Sequence, residues 1–173
     1  MYNILLSRSI SLISSPYRIY INTEIEQRRR LPQKWVKEVI QIALSAEHIA
    51  LKSTVEVLLA GDMTIKQLNS QFRFQNSVTD ILSFPTDEQD DQFPNVISSN
   101  DIGQIVLSIP QIERQSVEAG VDLKQEGAHV LVHGILHLLG YDHETAEEEK
   151  LMHLRENDIV YSITGVNPHE VLR

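Results

Sequence analysis

The sequence contains no cysteine and only one tryptophan among its 173 residues. The absence of cysteine excludes disulfide bonds and thiolate ligands, so any transition metal must be bound through imidazole or carboxylate groups. This composition is compatible with a reducing compartment, and we expect the protein to be cytoplasmic. Long uncharged apolar segments are also missing, which argues against contact with a membrane. At this length we expect one domain with its own hydrophobic core.

The first 16 residues are fairly apolar but do not have the pattern of a signal peptide. Arg8 interrupts the apolar run, and no small-residue cleavage site follows it. We therefore interpret residues 1–16 as an N-terminal extension that need not be ordered. Residues 17–173 are predicted to form the single domain.

Positive charge is scarce, since the formal net charge is −9. This argues against a general nucleic-acid coat protein, which would present a basic surface. Residues 1–80 nevertheless contain 10 Lys or Arg and 7 Asp or Glu, whereas residues 81–173 contain 5 and 17. A surface that faces RNA would therefore come from the first half, although its basic run also suits a solvated loop and helix start. That run contains Arg28, Arg29, Arg30, Lys34 and Lys37.

The order of apolar patterns predicts an α+β fold with about four strands and about five helices. Predicted strands cover residues 17–22, 54–59, 81–84 and 102–107. Predicted helices follow Pro32, cover 63–72, 109–119 and 123–139, and begin at a capping-box signature of Thr145 and Glu148. The polar residues 86–100 are interpreted as a loop. Helical spacing predicts a buried face with Trp35, Val39, Ile42 and Ala46, and it places Ile65, Leu68 and Phe72 on one side of the next helix. The last predicted helix carries Leu151, Leu154, Ile159 and Ile163.

The segment HGILHLLGYDH, residues 133–143, has the spacing of a metal site. His133 and His137 are four residues apart on a predicted helix, so both imidazoles can reach one ion. Gly140 can end the helix in the left-handed conformation and turn the chain back, which allows His143 to approach the same ion. Three nitrogen ligands with a fourth position open are typical of catalytic zinc.

Two residues near these ligands, His129 and Gly134, are interpreted separately from the ligands. His129 lies one turn before His133, and we interpret it as a residue behind the ligands or in the core. Gly134 occupies the place where a familiar zinc-protease motif has its glutamate base. It indicates either room for a substrate or close packing. His48, His153 and His169 have no partner at ligand spacing and are interpreted as surface or packing residues.

Residues 133–143 resemble the signature HGxLHLxGYDH of the YbeY endoribonuclease family. The segments AHVLVH (128–133), LNSQFRFQNSVTDILSFP (68–85) and GQIVLS (103–108) are also similar to segments of that family. Together the similar segments cover roughly residues 50–163. The N-terminal residues 1–16 lie outside the resemblance.

The resemblance implies an α+β fold in which helices, including a zincin-like metal helix, pack on a small mixed sheet. It implies one Zn²⁺ per chain and single-strand-specific cleavage of ribosomal RNA in rRNA maturation, including 16S 3′-end processing, and in ribosome quality control. It further implies contacts with the small ribosomal subunit and with assembly factors. Arg73 and His133 are the catalytic residues that it implies, because the planar guanidinium of Arg73 suits a phosphate. Either water or the RNA 2′-hydroxyl could be the nucleophile.

The chain departs from the family pattern at Gln75, Asn76, Val78 and Gln104. Asp142 could orient a ligand through a hydrogen bond, or it could belong to the turn chemistry of Tyr141 and Asp142. Two other functions remain open. The chain could be a ribosome-associated assembly factor with a structural zinc, since its acidic second half suits basic ribosomal proteins. It could also be a metal-dependent hydrolase of another substrate.

Overall fold

The computed structural model describes residues 15–28, 30–86 and 100–166. Most of the predicted extension (1–16) and of the predicted loop (86–100) lies outside the described residues, as do Arg29 and His169. Within the described part, four strands form one mixed sheet that packs with five α-helices. The predicted α+β fold is therefore confirmed. None of these helices combines the length and the hydropathy needed to cross a bilayer.

The strands and helices have the following bounds. The strands are β1 (Arg18–Thr23), β2 (Thr54–Ala60), β3 (Ile81–Pro85) and β4 (Asp101–Ser108). The helices are α1 (Gln33–Ala46), α2 (Asp62–Arg73), α3 (Ile109–Ala119), α4 (Leu123–Leu138) and α5 (Ala146–Thr164), and a 3₁₀ turn covers Ile25–Gln27. The sheet order is β1-β2-β4-β3, in which β1, β2 and β4 are parallel and the edge strand β3 is antiparallel.

The two faces of the sheet are covered unequally. Helices α1 and α4 pack on one face, α5 packs against these two helices, and together they form the larger core. The other face meets α2 in a small cluster around Ile65, Leu82 and Val106. Because alternate residues of β3 point to opposite faces, this edge strand contacts α4 on one side and the α2 cluster on the other.

Helix α4 begins and packs in ways that its sequence explains. The Asp122 carboxylate accepts hydrogen bonds from the backbone N–H groups of Lys124 (2.8 Å) and Gln125 (2.9 Å), which satisfies donors left free at a helix start. Most residues of α4 are apolar because the helix is enclosed by the sheet, α1, α3 and α5. The helix that carries two predicted ligands is thus part of the core and is held rigidly.

Gly134 allows α4 to lie directly against β3. A Cβ atom at this position would overlap the Cδ1 methyl of Ile81 and would lie 3.1 Å from the Ser83 Oγ. The Ser83 hydroxyl also donates to the Gly134 carbonyl oxygen (3.3 Å). Close packing therefore accounts for this glycine, and the contact is between helix and strand.

Two residues that we placed on the apolar sides of helices, Ile42 and Phe72, are exposed, and so are Leu151 and Leu154 of α5. Ile42 is 38% exposed and Phe72 is 54% exposed, and the exposed fractions of Leu151 and Leu154 are 54% and 53%. In α1 the buried side is formed by Val36, Val39, Ile40, Ala43 and Leu44. In α5 it is formed by Met152, Glu156, Ile159 and Val160. Glu156, on the inner side of α5, breaks the apolar periodicity of that side.

Candidate metal centre

Two histidines of α4 present ring nitrogens to the same point. His133 and His137 are one helical turn apart, and their Nε2 atoms are separated by 3.1 Å. In a tetrahedral zinc site with Zn–N distances of about 2.0–2.1 Å, two ligand nitrogens lie about 3.3 Å apart. The two imidazoles are therefore spaced as one ion requires.

The turn after α4 brings the third histidine to this point. Gly140 has φ +88°, a left-handed conformation that glycine adopts at little steric cost. The ring centroids of His137 and His143 are 5.1 Å apart. The ligand nitrogens of His133, His137 and His143 all lie within 4.8 Å of one another. The structure therefore brings the three predicted ligands together, and the exposed ring of His143 completes the group from the solvent side.

Glu156 is a functional residue that we did not predict. Its side chain is only 4% exposed, and its carboxylate accepts from the His133 Nδ1–H at 3.2 Å and contacts the His129 Nε2 at 3.3 Å. Burial alone would raise the pKa of Glu156, but the hydrogen bonds from His129 and His133 outweigh burial and lower this pKa to about 2. The carboxylate is therefore charged at neutral pH. It fixes the proton of His133 on Nδ1 and leaves the Nε2 lone pair free for a metal.

A backbone carbonyl does the same for His137. The His137 Nδ1–H donates to the carbonyl oxygen of Tyr141 at 3.0 Å. Burial lowers the pKa of His137, and the adjacent His133 lowers it further. The ring therefore stays neutral to a lower pH than an exposed histidine, which is the protonation state that a metal ligand needs.

Three side chains hold the turn that supplies this carbonyl. The Tyr141 hydroxyl donates to Glu47 Oε2 at 2.8 Å. Arg155 donates to Glu47 Oε1 at 2.9 Å from Nε and at 2.6 Å from Nη2. The Glu47 side chain is only 9% exposed, so this carboxylate at the end of α1 depends on both partners. Because it joins α1, α5 and the Gly140–His143 turn, this network fixes where the third ligand lies.

Replacing Tyr141 with phenylalanine should weaken metal binding about tenfold. The substitution keeps the ring but removes the donor to Glu47, so the carbonyl that orients His137 is held less firmly. Loss of a group that orients a ligand typically costs about 10- to 100-fold in metal affinity. Affinity is measured by competition with a zinc-binding dye. Tyr161→Phe, at an exposed position of α5, is the matched control, and equal affinities of the two variants would contradict this role.

Glu156→Gln should have a larger effect on metal affinity, between about 10- and 100-fold. The substitution keeps the volume of the side chain but removes the charge that faces two histidines. The same dye competition is used, with Glu149→Gln in the exposed first turn of α5 as the control. A Glu156→Gln protein that bound zinc as tightly as the control would show that the carboxylate does not prepare His133.

The residues present fit a metal ion of the zinc type. Three imidazole rings converge, two of them with nitrogens already at ligand spacing, and hydrogen bonds orient the rings of His133 and His137. No carboxylate among the described residues joins the three histidines as a further ligand in this group. The donor set therefore leaves a coordination position for a substrate or for water, which is characteristic of catalytic sites.

The remaining predicted site residues lie around this group in different ways. His129 contacts Glu156, so it lies behind the ligands. The Asp142 carboxylate accepts from the backbone N–H of His143 at 2.8 Å, a contact that holds the turn and does not involve a ring nitrogen. Arg73 is the exposed last residue of α2. No hydrogen bond or ion pair joins Arg73 to the three histidines within the described part of the chain.

Two departures from the family pattern have local structural roles. The Gln104 amide donates to Glu56 Oε2 at 3.3 Å across β4 and β2. The Gln75 backbone N–H donates to the Asn69 carbonyl oxygen at 3.2 Å. Buried Asn69 in turn donates from Nδ2 to the carbonyl oxygen of Ser77 at 2.9 Å. The connection between α2 and β3 is therefore tied down.

Comparison with known proteins gives a consistent result. The family model described as Endoribonuclease YbeY matches residues 20–164. A protein named Endoribonuclease YbeY from Persephonella marina is 40% identical over 133 residues, which cover 76% of this chain and 82% of that protein. Its namesake from Desulforamulus reducens is 34% identical over 134 residues, covering 78% and 87%.

A solved structure has the same fold. The solution structure of TM1509 from Thermotoga maritima superposes with a TM-score of 0.58 at 28% sequence identity. The match covers 89% of this chain and 95% of that chain. The similarity therefore extends over nearly all of both proteins.

Proposed function

Because the chain belongs to the family of the endoribonuclease YbeY, we propose that it is a metal-dependent endoribonuclease that cleaves single-stranded RNA. We assign this activity to residues 17–173 as one domain. The observation that carries the proposal is the convergence of His133, His137 and His143, with the first two rings oriented by Glu156 and Tyr141. These three residues would hold one zinc ion per chain.

The residues of the chain have distinct tasks in this proposal. Bound zinc supplies Lewis-acid chemistry that activates an attacking oxygen near neutral pH. His133 would be a ligand of the ion. Its Nδ1–H donates to Glu156, and the negative charge of this carboxylate would stabilise the imidazole beside a bound cation. The Arg73 guanidinium would pair with oxygens of the scissile phosphate and stabilise the charge that develops there.

The attacking oxygen comes from water or from the RNA 2′-hydroxyl. The ends of the products separate these routes, because attack by the 2′-hydroxyl leaves a 2′,3′-cyclic phosphate. Direct attack by water leaves no cyclic phosphate. Chromatography of the products after a short incubation therefore identifies the nucleophile.

The proposed substrate in the cell is ribosomal RNA. In this proposal the protein acts in the cytoplasm on 16S rRNA 3′ ends and in ribosome quality control. It would contact the small subunit and assembly factors there. The acidic second half of the chain suits contact with basic ribosomal proteins.

Two other functions of the same site would give different experimental results. A structural zinc in an assembly factor would leave metal binding intact without RNA cleavage. Peptide hydrolysis by the familiar zinc-protease route uses a glutamate as base at the position of Gly134. Here that position is packed against β3, and the nearby Glu156 is hydrogen-bonded to two histidines. Casein turnover that is lost on chelation would support the peptidase.

The proposal is tested with one RNA sequence in two forms. A labelled single strand and its perfect duplex are incubated with the protein before chelation, after chelation, and after zinc is restored. We expect cleavage of the single strand only, lost on chelation and recovered with zinc. Metal binding without cleavage of either form would favour the assembly factor.

A further inference from the structure

Phe74 has a backbone conformation that bulky residues seldom adopt. It caps the C-terminus of α2 with φ 58° and ψ 23°, in the left-handed region. Glycine or asparagine usually occupies this position, because a Cβ atom crowds the backbone there. The Phe74 side chain is 92% exposed, so burial does not compensate for the strain. A ring kept under these conditions suits a residue that has a partner outside the chain.

Phe74 belongs to a short exposed cluster that we call the α2 tip, namely Phe72, Arg73 and Phe74. The Phe72 ring is 54% exposed and packs edge to face on Phe84, with ring centroids 5.3 Å apart. Arg73, which stands between the two phenylalanines in the sequence, is exposed. The α2 tip therefore offers two aromatic surfaces and one cation to a ligand.

This combination matches the chemistry of an unpaired nucleotide. Aromatic side chains stack on splayed bases of single-stranded RNA, and arginine pairs with the adjacent phosphate. Bases inside a duplex are stacked on one another and do not offer their faces. An aromatic ring at the α2 tip would therefore bind single strands in preference to duplexes.

The α2 tip is connected to the metal centre through one short loop, residues 74–80. Asn69, one turn before Arg73, holds the middle of this loop through Ser77. At the far end, the charge of Asp80 contributes to raising the pKa of His129, after the larger effects of Glu156 and Glu126. The next residue, Ile81, packs against Gly134 beside His133. The α2 tip and the helix that carries His133 are therefore linked by one short loop and the Ile81–Gly134 contact.

We propose that Phe74 stacks on an unpaired base of the RNA substrate, next to the phosphate that Arg73 binds. This inference rests on the proposed endoribonuclease function and adds a residue that contributes to the preference for single strands. The α2 tip combines an exposed cation with exposed aromatic side chains at adjacent positions. This combination favours a nucleotide over a protein partner, which would cover an apolar patch with apolar groups.

The test compares wild type, Phe74→Gly and Phe74→Trp in cleavage of a short labelled single strand. Phe74→Gly should lower kcat/KM about tenfold, since removing an aromatic ring that stacks on a base typically weakens binding at least about fivefold. Its thermal midpoint should not fall, because glycine suits the left-handed position. Phe74→Trp should retain the wild-type kcat/KM. Met63→Ala, at an exposed apolar side chain in the first turn of α2, is the control and should be unchanged.

A second set of strands, each with one abasic position, identifies the stacked base. One abasic position should lower kcat/KM of the wild type but not lower that of Phe74→Gly any further. The inference is wrong if Phe74→Gly cleaves every strand as well as wild type does. It is also wrong if kcat/KM of Phe74→Gly is lower than that of wild type by the same factor on the intact strand and on every abasic strand. An unchanged Phe74→Gly would instead assign the exposed ring to a protein contact. Failure of the wild type to cleave any strand would contradict the proposed function itself and is thus distinguishable.

Discussion

The His137→Ala protein should be purified with little metal and should cleave single-stranded RNA at least about a thousandfold more slowly than wild type. His137 is the central ligand, with its Nε2 3.1 Å from that of His133 and its ring next to His143. Without it, two ligands remain, one of them on an exposed turn. The several kcal/mol of transition-state stabilisation that a metal supplies would be lost. Metal content is read by elemental analysis and cleavage by a gel time course.

His153→Ala is the matched control for this experiment. His153 lies on the exposed side of α5, away from the group of three, so this variant should keep its metal and its activity. Wild type and both variants are purified in parallel, which exposes any contaminating ribonuclease. Equal cleavage by wild type and His137→Ala would remove the basis for catalysis at this site.

Arg73→Ala should lower kcat for RNA cleavage about 100- to 1000-fold while metal content stays at the wild-type level. Removal of one preorganised donor to a developing negative charge costs about this much in other enzymes. Arg73 ends α2 and makes no ion pair within the described residues, so its loss should not affect folding. Arg73→Lys should recover only part of the rate, because an ammonium group lacks the planar fork of N–H donors that matches two phosphate oxygens.

Lys66→Ala controls for the loss of a positive charge from the same helix. Lys66 is exposed near the middle of α2, and its removal should change kcat less than about threefold, as expected for a screened surface charge. A matching loss of rate in Lys66→Ala and Arg73→Ala would show that general electrostatic attraction, and not a contact with the scissile phosphate, explains the effect.

The three histidines could be found from the sequence because their geometry is local. The spacing of His133 and His137 follows from the helical repeat, and Gly140 marks the turn that returns His143. Local signals also located the helix ends, as the capping box of Thr145 and Glu148 shows: both of its hydrogen bonds are present. Contacts between residues that are close in sequence are fixed by backbone geometry. For this reason the three ligands could be predicted from their spacing.

Glu156 could not be found in the same way. It lies 23 residues after His133 on another helix, and only the packing of α5 on α4 brings the two together. Glu156 also interrupts the apolar stripe of α5, because it is a charged residue on the inner side of this helix. Leu151 and Leu154, apolar residues that precede it, are exposed.

The Glu47 network illustrates the same limit over a longer distance. Glu47 ends α1, whereas its partners Tyr141 and Arg155 come about a hundred residues later. In sequence, each of the three is an ordinary surface residue. The order β1-β2-β4-β3 is equally hidden, because β3 and β4 are predicted as strands from local pattern while their pairing depends on the whole sheet.

The dependence of RNA cleavage on metal stoichiometry tests the central claim most directly. Metal is removed from the full chain, zinc is added back in steps, and the initial rate on labelled small-subunit precursor RNA is measured at each step. The proposal predicts a rate that rises with zinc and reaches its plateau at one ion per chain. A rate that is independent of zinc, or an absence of cleavage at full occupancy, would contradict a catalytic metal on His133, His137 and His143.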